Sequence, residues 1–143
     1  MAAEILVVDD ESDIRELVGG ILQDEGFAVR TAGNSADALA HVRTRAPRLV
    51  VLDVWLKGSE LDGLEILSIL KEMDPLLPVV VISGHGTVET AVTAIRRGAY
   101  DYLEKPFKAD KLIVTVQRAL ENGYRRGRDG PRQCPAVRDD ARA

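Results

Sequence analysis

Four short segments carry side chains that can bind, donate to or neutralise an anionic group, and each follows a run rich in Val, Ile and Leu or ends one. They are Asp9-Asp10-Glu11, Asp53, Ser83-Gly84-His85-Gly86 and Glu104-Lys105-Pro106-Phe107. Brought together, the carboxylates of Asp9, Asp10 and Asp53 repel one another unless a divalent cation or raised pKa values relieve the repulsion. Magnesium (Mg) is the simpler relief, because it suits hard oxygen ligands, keeps several waters, and needs only one or two carboxylates plus a phosphate oxygen. The Ser83 hydroxyl can donate to a phosphoryl oxygen, with glycines that leave the approach open, and the Lys105 ammonium can neutralise an anion at the same rim. Together these groups make a site for a phosphoryl group bound to a carboxylate. The bland alternative is that Asp9 and Asp10 cap a helix and Asp53 caps a loop.

Positioning these groups requires alternating elements. Glu4–Val8, Phe27–Thr31, Leu49–Leu52, Val79–Ile82 and Tyr100–Leu103 read as strands. Between them, Ile14, Leu17, Val18, Ile21 and Leu22 mark one helical face, and Ala38, Leu39 and Val42 a second, with Asn34 and Ser35 as cap candidates. Further helices are expected over Leu64–Glu72, Val88–Arg97 and Asp110–Glu121. Five β-α units imply an α/β, doubly wound parallel sheet with helices on both faces. The mixed composition of the second strand places it at an edge, which fits the flavodoxin-like (βα)5 order 2-1-3-4-5. Ligands then sit beyond the carboxyl ends of the strands, where the winding reverses between strands one and three. Asp9, Asp10 and Asp53 are expected there.

The chain has 143 residues, 45% apolar and 29% charged, enough for one domain with a core and too few for two ordinary ones. Its apolar runs are too short to span a bilayer and its N-terminus lacks a basic region followed by an apolar stretch, so a cytoplasmic protein without membrane contact is expected. The single Cys and two His exclude an internal disulfide and a zinc finger. The formal charge of −4 is uneven: from Asn122 onward six Arg face three Asp, a net +3, leaving −7 on the body. That disfavours the body as a nucleic-acid surface. Residues 122–143, with Gly127, Gly130, Pro131 and Pro135 and no apolar periodicity, read as a linker or an appended, non-native basic tail after a domain of residues 1–121.

In this register, Asp9-Asp10, Asp53, Ser83-Gly84, Tyr102 and Lys105-Pro106 resemble the receiver domain of two-component response regulators, over about Glu4 to Glu121. The resemblance implies that Asp53 accepts a phosphoryl group from a phosphohistidine on a sensor histidine kinase. It implies Asp10 as the principal side-chain magnesium ligand, Asp9 as a second, often through water, and Asp53 and the Trp55 backbone carbonyl as the rest of the protein's share. Lys105 would pair with the phosphoryl group. Ser83 and Tyr102 would form the switch, the hydroxyl turning toward the new phosphoryl oxygen and the ring following, biasing the face of helix four, strand five and helix five. Tyr102 reads equally as a half-buried core aromatic. The Lys105-Pro106 bond resembles the cis peptide found at this place in the family.

The loop after Asp53 departs from the usual pattern: Lys57 stands where receivers have Pro, and Gly63 comes two residues late. This longer form, followed by Ser-Gly-His-Gly, is similar to nitrogen-regulation regulators of the NtrX type within the NtrC family. Those place an AAA+ domain and a DNA-binding domain after the receiver, so the expectation is a receiver from a longer transcription regulator, with a stand-alone receiver as the alternative. Trp55 and His85, each two residues beyond a site position, read either as shields of the acyl phosphate or as ordinary surface groups.

Two other function classes are weaker. An aspartate-nucleophile phosphatase needs a second carboxylate two residues after the nucleophile, where Trp55 stands. A flavodoxin-like cofactor binder shares the fold but needs a phosphate cradle after strand one, where this loop is acidic. The phosphoacceptor is therefore not read as an enzyme in its own right, beyond phosphotransfer to itself and autodephosphorylation. The expected partners are a histidine kinase, docking near the helix one face that includes Ile14 and Leu17, and a second copy, through helices four and five or one and five. Direct nucleic-acid binding by this domain is not expected.

Overall fold

Short runs of Val, Ile and Leu, too short for buried helices, form the three central strands of five, two mixed segments form the edge strands, and the periodic stretches between them form five helices. A computed structural model of the chain describes residues 3–56, 61–84 and 87–133. The order is β1 (Glu4–Val8), α1 (Ser12–Asp24), β2 (Ala28–Ala32), α2 (Ser35–Thr44), β3 (Leu49–Asp53), α3 (Gly63–Met73), β4 (Val79–Ser83), α4 (Val88–Arg96), β5 (Asp101–Glu104) and α5 (Ala109–Gln133). All strand pairings are parallel, in the order β2-β1-β3-β4-β5. This is the flavodoxin-like doubly wound sheet expected from the alternation, with β2 at an edge.

Because strand side chains alternate between faces, each buried strand feeds two cores. Ile5, Val7, Val51, Val80, Ile82 and Leu103 pack under α1 and α5 against Val18, Leu22, Leu112 and Val116. Leu6, Val8, Val50, Leu52, Val79 and Val81 pack under α2, α3 and α4 against Leu39, Val42, Ile66, Leu70 and Ala94. Every residue of β3 and β4 is buried, the pattern of strands covered on both faces.

Several boundaries differ from the sequence reading. Strand two begins at Ala28 rather than Phe27, because the Phe27 N–H is used to close α1, donating to the Leu22 carbonyl at 3.1 Å. Gly26, at φ 93°, supplies the left-handed residue that ends that helix. On α1, Leu17 is 56% exposed. The core stripe runs along Ile14, Val18 and Leu22, four residues apart, and Leu17 lies on its rim. Asn34 caps α2 as expected, accepting from the Asp37 N–H at 2.9 Å, and Ser35 is instead buried in the first turn. Helix α5 continues to Gln133, past the expected end at Glu121. Apolar periodicity marks where a helix touches a core, and the helical backbone runs on past that point.

Candidate functional site at the strand carboxyl ends

The register of the sheet assembles the site. Val7 pairs with Val51 and Val8 with Leu52, so one further step brings Asp9 alongside Asp53. Both side chains follow the α1/α5 face in the alternation, as does Lys105, two residues after Leu103. The carboxylates of Asp9, Asp10 and Asp53 offer one oxygen each within 4.8 Å of one another. Asp9 is fully buried and Asp53 3% exposed, which leaves two anions in a poorly solvated crevice.

Lys105 offsets part of this charge. Its ammonium lies 2.9 Å from Asp9 Oδ2, 3.3 Å from Asp53 Oδ2 and 3.5 Å from Glu11 Oε1. Burial disfavours the ammonium, but the hydrogen bond to Asp9 and the charges of Asp53 and Asp9 outweigh it and hold the Lys105 pKa above the ordinary lysine value. The Lys105-Pro106 bond is cis, and the Lys105 N–H donates to the Ser83 carbonyl at 2.8 Å, anchoring the β5 end to the β4 end. A Cβ at Gly84 would meet the Lys105 stem at 3.6 Å, ordinary contact.

Asp53 lies at the centre of the cluster. Burial first, and the neighbouring Asp9 carboxylate second, push its pKa up to about 6, against the pull of Lys105 and of the Trp55 N–H, which donates to Asp53 Oδ1 at 3.3 Å. A doubly charged cation among these oxygens would reverse that upward push, and the donor set fits magnesium: hard carboxylate oxygens, excess negative charge and partial exposure at Asp10. Asp9 and Asp10 do not cap α1. Its N-cap is Glu11, which has no side-chain cap bond, while Asp9 Oδ1 accepts from the Glu11 N–H at 2.9 Å.

Ser83 ends β4, fully buried and opposite Glu104 in the sheet. Tyr102 pairs with Val81, and its ring packs partly buried against the α2/α3/α4 core. The Tyr102 hydroxyl is buried with no hydrogen-bond partner among the described residues, so it does not reach water as a simple half-buried tyrosine would. Trp55 is 47% exposed on the rim. Lys57 and His85 lie outside the described residues. Two contacts to the site were not anticipated from sequence: Glu11 beside Lys105, and Arg15, whose guanidinium donates to the Asp9 backbone carbonyl at 2.6 Å. Their only sequence signal is position, at the N-cap and within the first helical turn after the acidic pair.

Comparison with known proteins agrees with this geometry. The family model described as response regulator receiver domain matches residues 5–117. The chain is 60% identical over 121 residues to the nitrogen assimilation regulatory protein NtrX of Azorhizobium caulinodans, covering 85% of this chain and 27% of that protein. It thus spans about a quarter of the length of the curated relatives it matches. Among solved structures, the receiver domain of NtrX from Brucella abortus superposes with a TM-score of 0.80 at 66% identity, covering 82% of this chain and 98% of that one. The beryllofluoride-activated NtrC4 receiver domain dimer superposes at 0.79 with 39% identity, covering 84% and 98%. With five parallel strands in the order 2-1-3-4-5 delivering three aspartates and a lysine to one crevice, the chain belongs to the response regulator receiver domain family, of the NtrX/NtrC type.

Proposed function

We propose that Asp53 is the phosphoacceptor, taking a phosphoryl group from a phosphohistidine of a sensor histidine kinase, and that this switches a transcription-regulating output. The observation that carries the reading is the placement of the Lys105 ammonium between the Asp9 and Asp53 carboxylates. In the transfer, an Asp53 carboxylate oxygen forms the new bond to phosphorus as the phosphorus–nitrogen bond to the donor breaks. The obstacle is repulsion between a carboxylate and a phosphoryl group. Lys105 supplies one positive charge at the required place, and Ser83 a hydroxyl at the neighbouring strand end.

Asp10, Asp9, Asp53 and the Trp55 backbone carbonyl would hold magnesium. When bound, the ion supplies charge screening between nucleophile and phosphoryl group and orients them. For the switch, the inference is that Ser83 and Tyr102 respond to the new phosphoryl oxygens, the Tyr102 hydroxyl exchanging a position without a partner among the described residues for a better one. Slow loss of the acyl phosphate by autodephosphorylation completes the cycle, with exposed Trp55 shielding it from water.

The receiver is assigned to residues 1–121, with 122–143 as a linker or an appended basic tail; Ala119 and Leu120 still pack on the core. No described helix is long and apolar enough to cross a membrane, in keeping with a cytoplasmic place of action. A kinase is expected on α1 at Leu17, which is exposed, whereas Ile14 of the expected face packs on the core. Homodimerisation is favoured through α4, where Val88, Val92 and Ile95 are 83%, 42% and 48% exposed along one face. Glutamate at Val92 or Ile95 should abolish phosphorylation-dependent association in sedimentation measurements.

Intact-mass analysis after incubation with magnesium and acetyl phosphate tests the central claim. One phosphoryl adduct is expected, lost with EDTA and absent from Asp53→Asn. No adduct on the wild type would remove the phosphoacceptor role and leave a docking module.

A further inference from the structure

We propose that Arg15 is a positioning residue for the acidic crevice: through the Asp9 carbonyl it sets the orientation of the peptide that joins the two aspartates Asp9 and Asp10. The inference rests on the reading of those aspartates as magnesium ligands. The Asp9–Asp10 peptide is a rigid plane, so whatever holds the Asp9 carbonyl also fixes the direction in which the chain enters Asp10. Arg15 Nη1 donates to that carbonyl at 2.6 Å, a short, charge-assisted bond. On the other side the Asp9 N–H donates to the Ala32 carbonyl at 3.1 Å. Asp9 is thus clamped from β2 and α1 at the point where β1 ends.

Gly33 makes the clamp possible. A Cβ at this position would stand 3.1 Å from Arg15 Nη1, 3.6 Å from Arg15 Cζ and 3.9 Å from the Asp9 carbonyl oxygen. The guanidinium therefore lies tight against the place a side chain after β2 would take, and a Cβ there would push it by a few tenths of an ångström. Arg15 also lines an open groove between α1 and β2, with Ser12, Gly19, Val29 and Thr31. Its truncation exposes solvent-filled space rather than leaving a sealed cavity, so the variants are expected to fold.

The sign of the effect separates positioning from simple charge. A cation beside the crevice opposes magnesium by Coulomb repulsion, so if Arg15 acted only as a charge, removing it would tighten metal binding. Positioning predicts the reverse, a loss on the order of tenfold in affinity, the usual consequence of removing a group that orients a metal ligand. A purely structural role would lower the melting temperature and leave the affinity unchanged.

The test is a magnesium titration of the full 143-residue chain, followed by amide chemical shifts of Asp10 and Val54, on wild type, Arg15→Met, Arg15→Lys and Gly33→Ala. Arg15→Met and Gly33→Ala should each weaken binding, Arg15→Lys should recover part of the loss, and Arg15→Met combined with Gly33→Ala should be no worse than Arg15→Met alone. Equal or tighter binding by Arg15→Met, with wild type saturating normally, would overturn the positioning role while the magnesium reading stands. No saturable shift in the wild type would overturn the magnesium reading, and this inference with it.

Discussion

The N–H of Gly63, first residue of α3, donates at 2.7 Å to the carbonyl of Val54, the residue that follows Asp53. The loop that leaves β3 is thereby closed back onto it. A Cβ on Gly63 would overlap the Asp53 carbonyl and lie 2.6 Å from Val54 Cα. Close backbone approach, and not an unusual dihedral angle, requires glycine here, and it explains how a loop of uncommon length keeps Asp53 in place.

Gly63→Ala should cost at least about 3 kcal/mol, the upper range for overpacking, because the obstructing atoms are backbone and cannot rotate away. Urea unfolding would show it as a lower midpoint at unchanged slope. A loss under about 1 kcal/mol would mean that α3 can slide away from β3 freely.

The neighbouring Asp62 is a separate contribution. Its side chain accepts from the Glu65 N–H at 2.9 Å while Glu65 Oε1 accepts from the Asp62 N–H at 3.0 Å, a reciprocal cap on α3. Asp62→Ala is expected to cost about 1 kcal/mol and leave phosphoryl uptake from acetyl phosphate intact. Calorimetry and intact-mass analysis on one sample check both halves.

Asp53 binds its proton more tightly in the folded protein than its ordinary value of 3.8 implies, up to about 6. Between those values the folded state carries more protons than the unfolded one, so metal-free stability falls as pH rises through this window and is lowest, for this group, above it. In EDTA, Asp53→Asn should melt a few degrees above wild type at about pH 7, with the difference shrinking toward about pH 4. Carbon-detected NMR of the Asp53 carboxyl in metal-free protein should show a titration at about 6. A midpoint of about 4, the ordinary aspartate value, would contradict the crowding of Asp9 and Asp53.

Lys105→Met removes a cation that touches both Asp9 and Asp53. Magnesium affinity should be kept or raised, while the rate of phosphoryl uptake falls on the order of a hundredfold, the scale for losing one preorganised charge at a reacting group. Unchanged uptake kinetics would restrict Lys105 to relieving the acidic crevice.

Leu17 is 56% exposed on α1, so Leu17→Ala should shift stability by less than about 0.5 kcal/mol. Phosphotransfer from a kinase should slow while uptake from acetyl phosphate does not change. Equal slowing with both donors would remove α1 as the docking surface.

The strand runs, the strict alternation and the residue types at four strand ends were all legible along the chain, because strand burial on both faces and helical amphipathicity leave periodic marks on consecutive residues. Asp9, Asp53 and Lys105 were recognisable as one site for the same reason: parallel topology sends all carboxyl ends to one rim. What the tertiary structure decided depends on contacts between distant segments. Register set Asp9 beside Asp53 and left Lys105 between them. Packing placed Leu17 outside the core stripe and buried the Tyr102 hydroxyl without a partner among the described residues. The roles of Gly33 and Gly63 arise from what meets a Cβ there: an α1 guanidinium in tight contact for one, the overlapping β3 backbone for the other. Local sequence records a residue's own preferences, and the neighbour that fills the space beside it is chosen only when the chain folds.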